Sequence, residues 1–122
     1  MKTKRLMAYP ATLGILLALS SCVPLLAHHS FQAQYDETQM VTLVGTVTKV
    51  SWKNPHVDVN MDVKDTNGKA NWNVEMNSPN ALMSQGWKVD SIKRGDEITI
   101  TGFRARDGSN AIIARKVSLA KH

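Results

Sequence analysis

The stretch from His56 to Met76 constrains this chain more than any other. Val57, Val59, Met61 and Val63 alternate with Asp58, Asn60, Asp62 and Lys64. After the pair Asn67-Gly68, Trp72, Val74 and Met76 alternate with Asn71, Asn73 and Glu75. A period of two puts apolar side chains on one strand face and polar ones on the other. Asn-Gly suits a two-residue type I′ turn, whose central positions both need positive φ. That turn predicts Val63 opposite Trp72, Met61 opposite Val74 and Val59 opposite Met76. A slip of one residue would set each apolar side chain against a polar one.

The other segments follow the same logic less regularly. Val41 to Trp52 is rich in Val and Thr, with Gly45 in its middle. Val41, Leu43 and Val47 share one parity, whereas Val44, Val50 and Trp52 share the other. A long strand that changes faces near a glycine predicts a bend or bulge. Ser78-Pro79 predicts a helix start, because serine caps well and proline at the first helical position loses no hydrogen bond. Gly86 supplies the stop about two turns later, and Trp87 follows as an apolar plug. Lys93-Arg94-Gly95-Asp96 turns into a strand from Glu97 to Arg104, and Asp107-Gly108-Ser109-Asn110 into another from Ala111 to Leu119. That last loop predicts Ile100 opposite Val117, Ile98 opposite Leu119 and Gly102 beside Arg115. The expected fold class is all-β with one short helix. Its order, strand-strand-strand-helix-strand-strand, is that of a five-stranded OB-like barrel. A small open β-sandwich is the rival, but closure removes exposed strand edges and suits a short chain.

The N-terminus predicts export. Lys2, Lys4 and Arg5 precede an apolar stretch from Leu6 to Leu19, interrupted only by Pro10, Thr12 and Gly14. Charge ahead of an apolar helix too short to anchor is the layout of a secretory signal peptide. Two cuts are open. Cleavage after Ala27 starts the mature chain at His28-His29-Ser30-Phe31, whereas Leu19-Ser20-Ser21-Cys22 reads as a lipobox that makes Cys22 a lipidated first residue. The expected organisation is a signal peptide at 1–27, an N-terminal arm at 28–39 and an OB-like β-barrel domain at 40–122. The expected location is periplasmic or secreted, with lipid anchoring to the envelope through Cys22 as the alternative.

Removing the first 27 residues leaves 12 basic against 10 acidic side chains, so the formal charge falls from +5 to +2. Only charge on the folded module argues for a polyanion partner, so no nucleic acid is expected. A membrane enters only if Cys22 is lipidated. Cys22 is the only cysteine, which excludes an intramolecular disulfide and a cysteine zinc site. The 95 remaining residues exclude a multidomain enzyme and a large buried cavity.

Three places offer chemistry. With cleavage after Ala27, the α-amine and imidazole of His28 sit on one residue and His29 adds a second imidazole. Such nitrogen-rich sets suit Cu(II) or Ni(II), so copper is the expected cofactor if any is bound. Trp52-Lys53-Asn54-Pro55-His56 lies between the first two strands, where OB folds place a ligand-binding loop. There Trp52, Asn54 and His56 are candidates for holding a small ligand or an envelope protein. On the polar hairpin face, the expected register sets Asn60 against Glu75 and Asp58 against Asn77. His56, Asp58 and Glu75 then form one patch of imidazole and oxygen donors, to which the arm would bring His28 and His29. No Gly-rich phosphate loop, HExxH or nucleophile elbow is present, so the chain reads as a binding protein, not an enzyme.

Several of these motifs together carry a resemblance. Ala27-His28-His29-Ser30-Phe31, Trp52-x-Asn54-Pro55-His56, Glu75-Met76-x-Ser78-Pro79-Asn80-x-Leu82 and Gly86-Trp87 resemble a family of small exported bacterial proteins known as a domain of unknown function. The resemblance spans nearly all of the mature chain. It implies an exported single domain whose mature end begins near the paired histidines, which favours the cut after Ala27. Asp58 stands where that family more often has an aromatic or aliphatic residue. More distantly, the element order is similar to periplasmic OB-fold proteins that act as binding modules.

Overall fold

Five alternating segments become five strands that wrap into one closed barrel. The computed structural model describes residues 33–120. Its elements are β1 (Tyr35–Ser51), β2 (Asp58–Asp65), β3 (Gly68–Glu75), α1 (Pro79–Ser84), β4 (Glu97–Ala105) and β5 (Ala111–Leu119). The strands run β1-β2-β3-β5-β4 around the barrel, with β3 and β5 parallel and every other pair antiparallel. This is the OB-like closure expected from the element order, and the open sandwich is set aside.

β1 is long because it serves two neighbours. Met40–Thr46 pairs with β4, and Thr46–Ser51 pairs with β2. The change of face occurs at Thr48, where the register with β2 jumps from Val47↔Met61 to Lys49↔Asn60. Gly45 does not make it. Val41, Leu43 and Val47 face the core before the bulge, and Val50 and Trp52 after it, while Val44 is exposed. β1 also begins at Tyr35, so the expected boundary at residue 40 falls inside a strand.

The hairpin keeps its faces but not its expected register. Val59 pairs with Val74, Met61 with Trp72 and Val63 with Ala70, a shift of two residues from the type I′ expectation. Only Gly68 takes a positive φ, 115°, and Asn67 does not. The Asp65 carboxylate accepts the Asn67 N–H at 2.7 Å, which holds the turn with glycine as its sole left-handed residue. A shift of two preserves side-chain parity, so the hydrophobic pattern is blind to it.

Val47, Val57, Val59, Met61, Val74, Ile98, Ile100 and Ile112 are fully buried. Each is worth about 1.5–3 kcal/mol relative to exposure. No polar or charged residue is buried among the described residues. α1 contributes Leu82 to the core, and the partly buried Trp87 packs against that core. Ser78 caps α1 as expected, its hydroxyl accepting the Ala81 N–H at 3.2 Å. β4 and β5 pair Ile98 with Leu119 and Ile100 with Val117, also as expected. The register then slips, so that Gly102 faces Ala114 and Arg115 is left over as the bulged residue.

Candidate functional site

The loop between β1 and β2 is pinned at both ends. Trp52 packs against the core at its start. At its end Val57 is buried, accepting the Met76 N–H at 2.8 Å and donating to the Asn77 carbonyl at 3.0 Å. Lys53, Asn54, Pro55 and His56 between them are exposed, with the Asn54–Pro55 peptide bond cis. Of the expected loop contacts, Asn54 and His56 therefore face solvent, and Trp52 is shared with the barrel.

Anchoring Val57 lays His56 over the end of β3. Its Nδ1 lies 3.0 Å from Glu75 Oε1, within ion-pair distance of the carboxylate. The other Glu75 oxygen, Oε2, accepts the Tyr35 hydroxyl at 2.5 Å. Three segments far apart in sequence thus meet at the Glu75 carboxylate, Tyr35 by a hydrogen bond and His56 at ion-pair distance. The His56 side chain is 50% exposed and Glu75 only 17%, so the imidazole is offered to solvent from a sheltered support.

Tyr35 holds the first strand in this arrangement. It is buried although it opens β1, and it pairs with Ala105. Arg106 reaches it from the β4–β5 loop, its guanidinium donating to the Tyr35 carbonyl at 3.3 Å and its N–H to the Gln34 carbonyl at 2.9 Å. Burial, the bond to Glu75 and the charges of Glu75, Asp58 and Asp107 push the phenol well above its usual range. It stays a neutral donor. Asp58 lies directly opposite Glu75 on the same face, in place of the expected Asn77.

Further along that face the polar residues bind one another. The Asn71 amide donates to Asp62 at 2.9 Å and to Thr48 at 3.2 Å, while Asn60 donates to Asn71 at 3.3 Å. Lys69 sits 3.5 Å from Asp62. The Asn71 bond first, and Lys69 second, hold the Asp62 carboxyl below the ordinary range.

The structure brings His56 and Glu75 together and sets Asp58 across from Glu75. Both Glu75 oxygens are already engaged, which makes this residue a support for His56 instead of an open ligand. Among the described residues, no group of three or more His, Cys, Asp or Glu side chains is arranged to hold a metal ion. His28, His29 and Cys22 lie outside the described residues. Tyr35 went unrecognised because its partner is 40 residues away and nothing local marks it.

Solved structures share the barrel. The mitochondrial single-stranded DNA binding protein Rim1 from S. cerevisiae matches with TM-scores of 0.52 and 0.53 in two crystal forms, at 9% and 8% identity. The match covers 68% of this chain and 94% and 93% of Rim1. A small single-stranded DNA-binding protein from Streptomyces coelicolor matches with a TM-score of 0.50 at 20% identity, over 67% of this chain and 92% of its own. At such identities the likeness establishes the OB fold alone. No curated protein matches in sequence. A family model, that of the family of unknown function DUF6152, matches residues 16–114, and the chain belongs to that family.

Proposed function

We propose that this chain is an exported, periplasmic binding module that holds Cu(II) between His56 and the arm histidines His28 and His29. The observation that carries the reading is the approach of His56 Nδ1 to within 3.0 Å of the Glu75 carboxylate. Metal-ligating histidines almost always give their second ring nitrogen to a carboxylate or carbonyl, which fixes the tautomer and raises the basicity of the ligating nitrogen. His56 stands close enough to Glu75 for that pairing to form on metal binding, with Nε2 as the nitrogen that would ligate. Tyr35 ties the same carboxylate to the root of the arm. His29 lies six residues before Tyr35, so an extended arm reaches about 20 Å from that point. Two imidazoles and the α-amine of a chain cut after Ala27 would complete a nitrogen set suited to Cu(II).

Single-stranded nucleic acid, the ligand in the names of the solved neighbours, fits this surface poorly. OB folds take it on the face of strands 2 and 3, using stacking aromatics and positive charge. Here that face carries Asp58, Asp62 and Glu75 against Lys64 and Lys69, among Asn60, Asn71 and Asn73, with no aromatic residue on it. The exposed Lys53–His56 loop favours a second reading, a metal-free adaptor that docks an envelope protein.

Extending the mature N-terminus by one residue separates these readings, because it buries the α-amine in a peptide bond. Calorimetric titration with Cu(II) is expected to show affinity at least about tenfold weaker in the extended form. Equal affinities would remove the chelate of the α-amine with His28 from the site. No binding by the mature form at micromolar copper would overturn the metal reading and leave the adaptor.

A further inference from the structure

The tip of the β2–β3 hairpin carries a reactive pair that the barrel leaves uncovered. Asn67 is the only asparagine followed by glycine. Asn54 precedes a proline, which has no N–H to react, and every other asparagine precedes a residue with a side chain. Thr66, Asn67 and Gly68 are all exposed. The Asp65 carboxylate accepts the backbone N–H of Asn67, but the Asn67 side-chain amide takes part in no hydrogen bond among the described residues. Gly68 holds φ at 115°, and nothing lies within 4 Å of the place a Cβ would occupy. It pairs with Asp65 at the very end of the ladder, where hairpins fray first.

An asparagine side chain is spaced so that the next backbone nitrogen can close a five-membered ring on its Cγ. Such an intramolecular attack gains from proximity, and its rate depends on how freely the peptide turns to bring the nitrogen over the carbonyl. A side chain on the following residue obstructs that turn, and glycine removes the obstruction. Packing obstructs it too, and this tip has none. The Asp107-Gly108 pair in the β4–β5 turn is the contrasting case. There the side chain accepts the Ser109 N–H at 2.9 Å, and the bonds to Ser109 hold the carboxyl below the ordinary range. An ionised carboxylate is a poor electrophile without a leaving group, so ring closure at Asp107 is suppressed.

We propose that Asn67 is a self-modification site, where the folded protein loses ammonia and gains a carboxylate without any enzyme. The Gly68 nitrogen gives its proton to solvent and attacks Asn67 Cγ, forming the new N–C bond of a succinimide. The bond from Cγ to the amide nitrogen breaks, and that nitrogen leaves as ammonia after taking a proton from water. Water then opens the ring at one of its two carbonyls. Opening at Cγ leaves an aspartate, whereas opening at the backbone carbon leaves an isoaspartate, whose main chain is one methylene longer. Either product lowers the net charge by one. The isoaspartate also lengthens the turn that sets Glu75 opposite Asp58. This site is independent of the metal reading.

The test incubates the folded protein beside a free peptide spanning Lys64–Ala70, at 37 °C and pH 8.5, and follows both by mass spectrometry after proteolysis. In the protein, the Asp65–Lys69 segment is expected to gain one mass unit at least about tenfold faster than any other segment containing asparagine. Isoaspartate should outnumber aspartate in the product, and incubation in H₂¹⁸O should place one heavy oxygen in it. Asn67→Gln, which keeps the glycine but requires a six-membered ring, is expected to slow the gain about tenfold or more. An unchanged Asp65–Lys69 segment in the folded protein after the peptide has converted would overturn the proposal. So would a gain spread evenly over the other asparagines, or a product free of isoaspartate.

Discussion

His56→Ala is expected to weaken Cu(II) binding more than about 100-fold while leaving the thermal midpoint close to that of the unaltered protein. The two halves of this result have different physical origins. Affinity falls because the substitution removes the one ligand that the barrel presents on a fixed support. Removing a group that only orients a ligand already costs about 10–100-fold, and removing the ligand itself costs more. Stability barely changes because the side chain is half exposed, and an exposed ion pair is worth about 0–1 kcal/mol. Glu75 also keeps its bond from Tyr35. Glu75→Gln should fall between, with affinity reduced about 10–100-fold, since an amide supports the imidazole less well than a carboxylate. Parallel calorimetry and thermal melts check both. A His56→Ala protein that binds copper as before would place the metal, if any, on the arm alone.

Gly102→Val is expected to have the largest effect on folding. A Cβ built on Gly102 would lie 1.9 Å from the Ile113 carbonyl oxygen and 2.9 Å from its carbon. Both atoms are backbone, so no side chain can rotate aside. β5 would have to move off β4 where the register slips, and the two strands close the barrel there. Domains of this size are stable by about 5–15 kcal/mol, and losses above about 4 kcal/mol are confined to a few mechanisms, of which core overpacking is one. The substitution should therefore leave the barrel largely unfolded at 37 °C, seen as lost near-ultraviolet dichroism and a collapsed amide spectrum. A cooperative melt within a few degrees of the unaltered protein would contradict the close approach.

How far the sequence reveals this arrangement depends on which physical signal each part leaves. Alternation marks all five strands, since burial of one face demands it. It marks side-chain parity and nothing finer, which is why the β2–β3 register is shifted by two without one apolar residue changing face. That shift has consequences at the site. It sets Glu75 opposite Asp58 instead of Asn60, at the end of β3 near the anchored Val57, and so within reach of His56. Turn chemistry misleads because Asn67-Gly68 permits two left-handed residues, whereas Asp65 stabilises a turn that needs only one. Tyr35 leaves no local signal at all. It lies in a polar stretch that reads as a connector, and its role comes from tertiary pairing with Ala105 and Glu75. The bulges at Thr48 and Arg115 are likewise set by the partner strand: Gly45 is only a rough pointer to the first, and β5 itself holds no glycine.

The central claim concerns one ring, so the decisive measurement is long-range ¹H–¹⁵N correlation NMR of the His56 imidazole at neutral pH, before and after substoichiometric Cu(II). The account requires the proton on Nδ1, where Glu75 accepts it, and a free Nε2 whose resonance is the first in the barrel to broaden as copper is added. A neutral His56 protonated on Nε2, or a His56 signal untouched while copper broadens other sites, would contradict it.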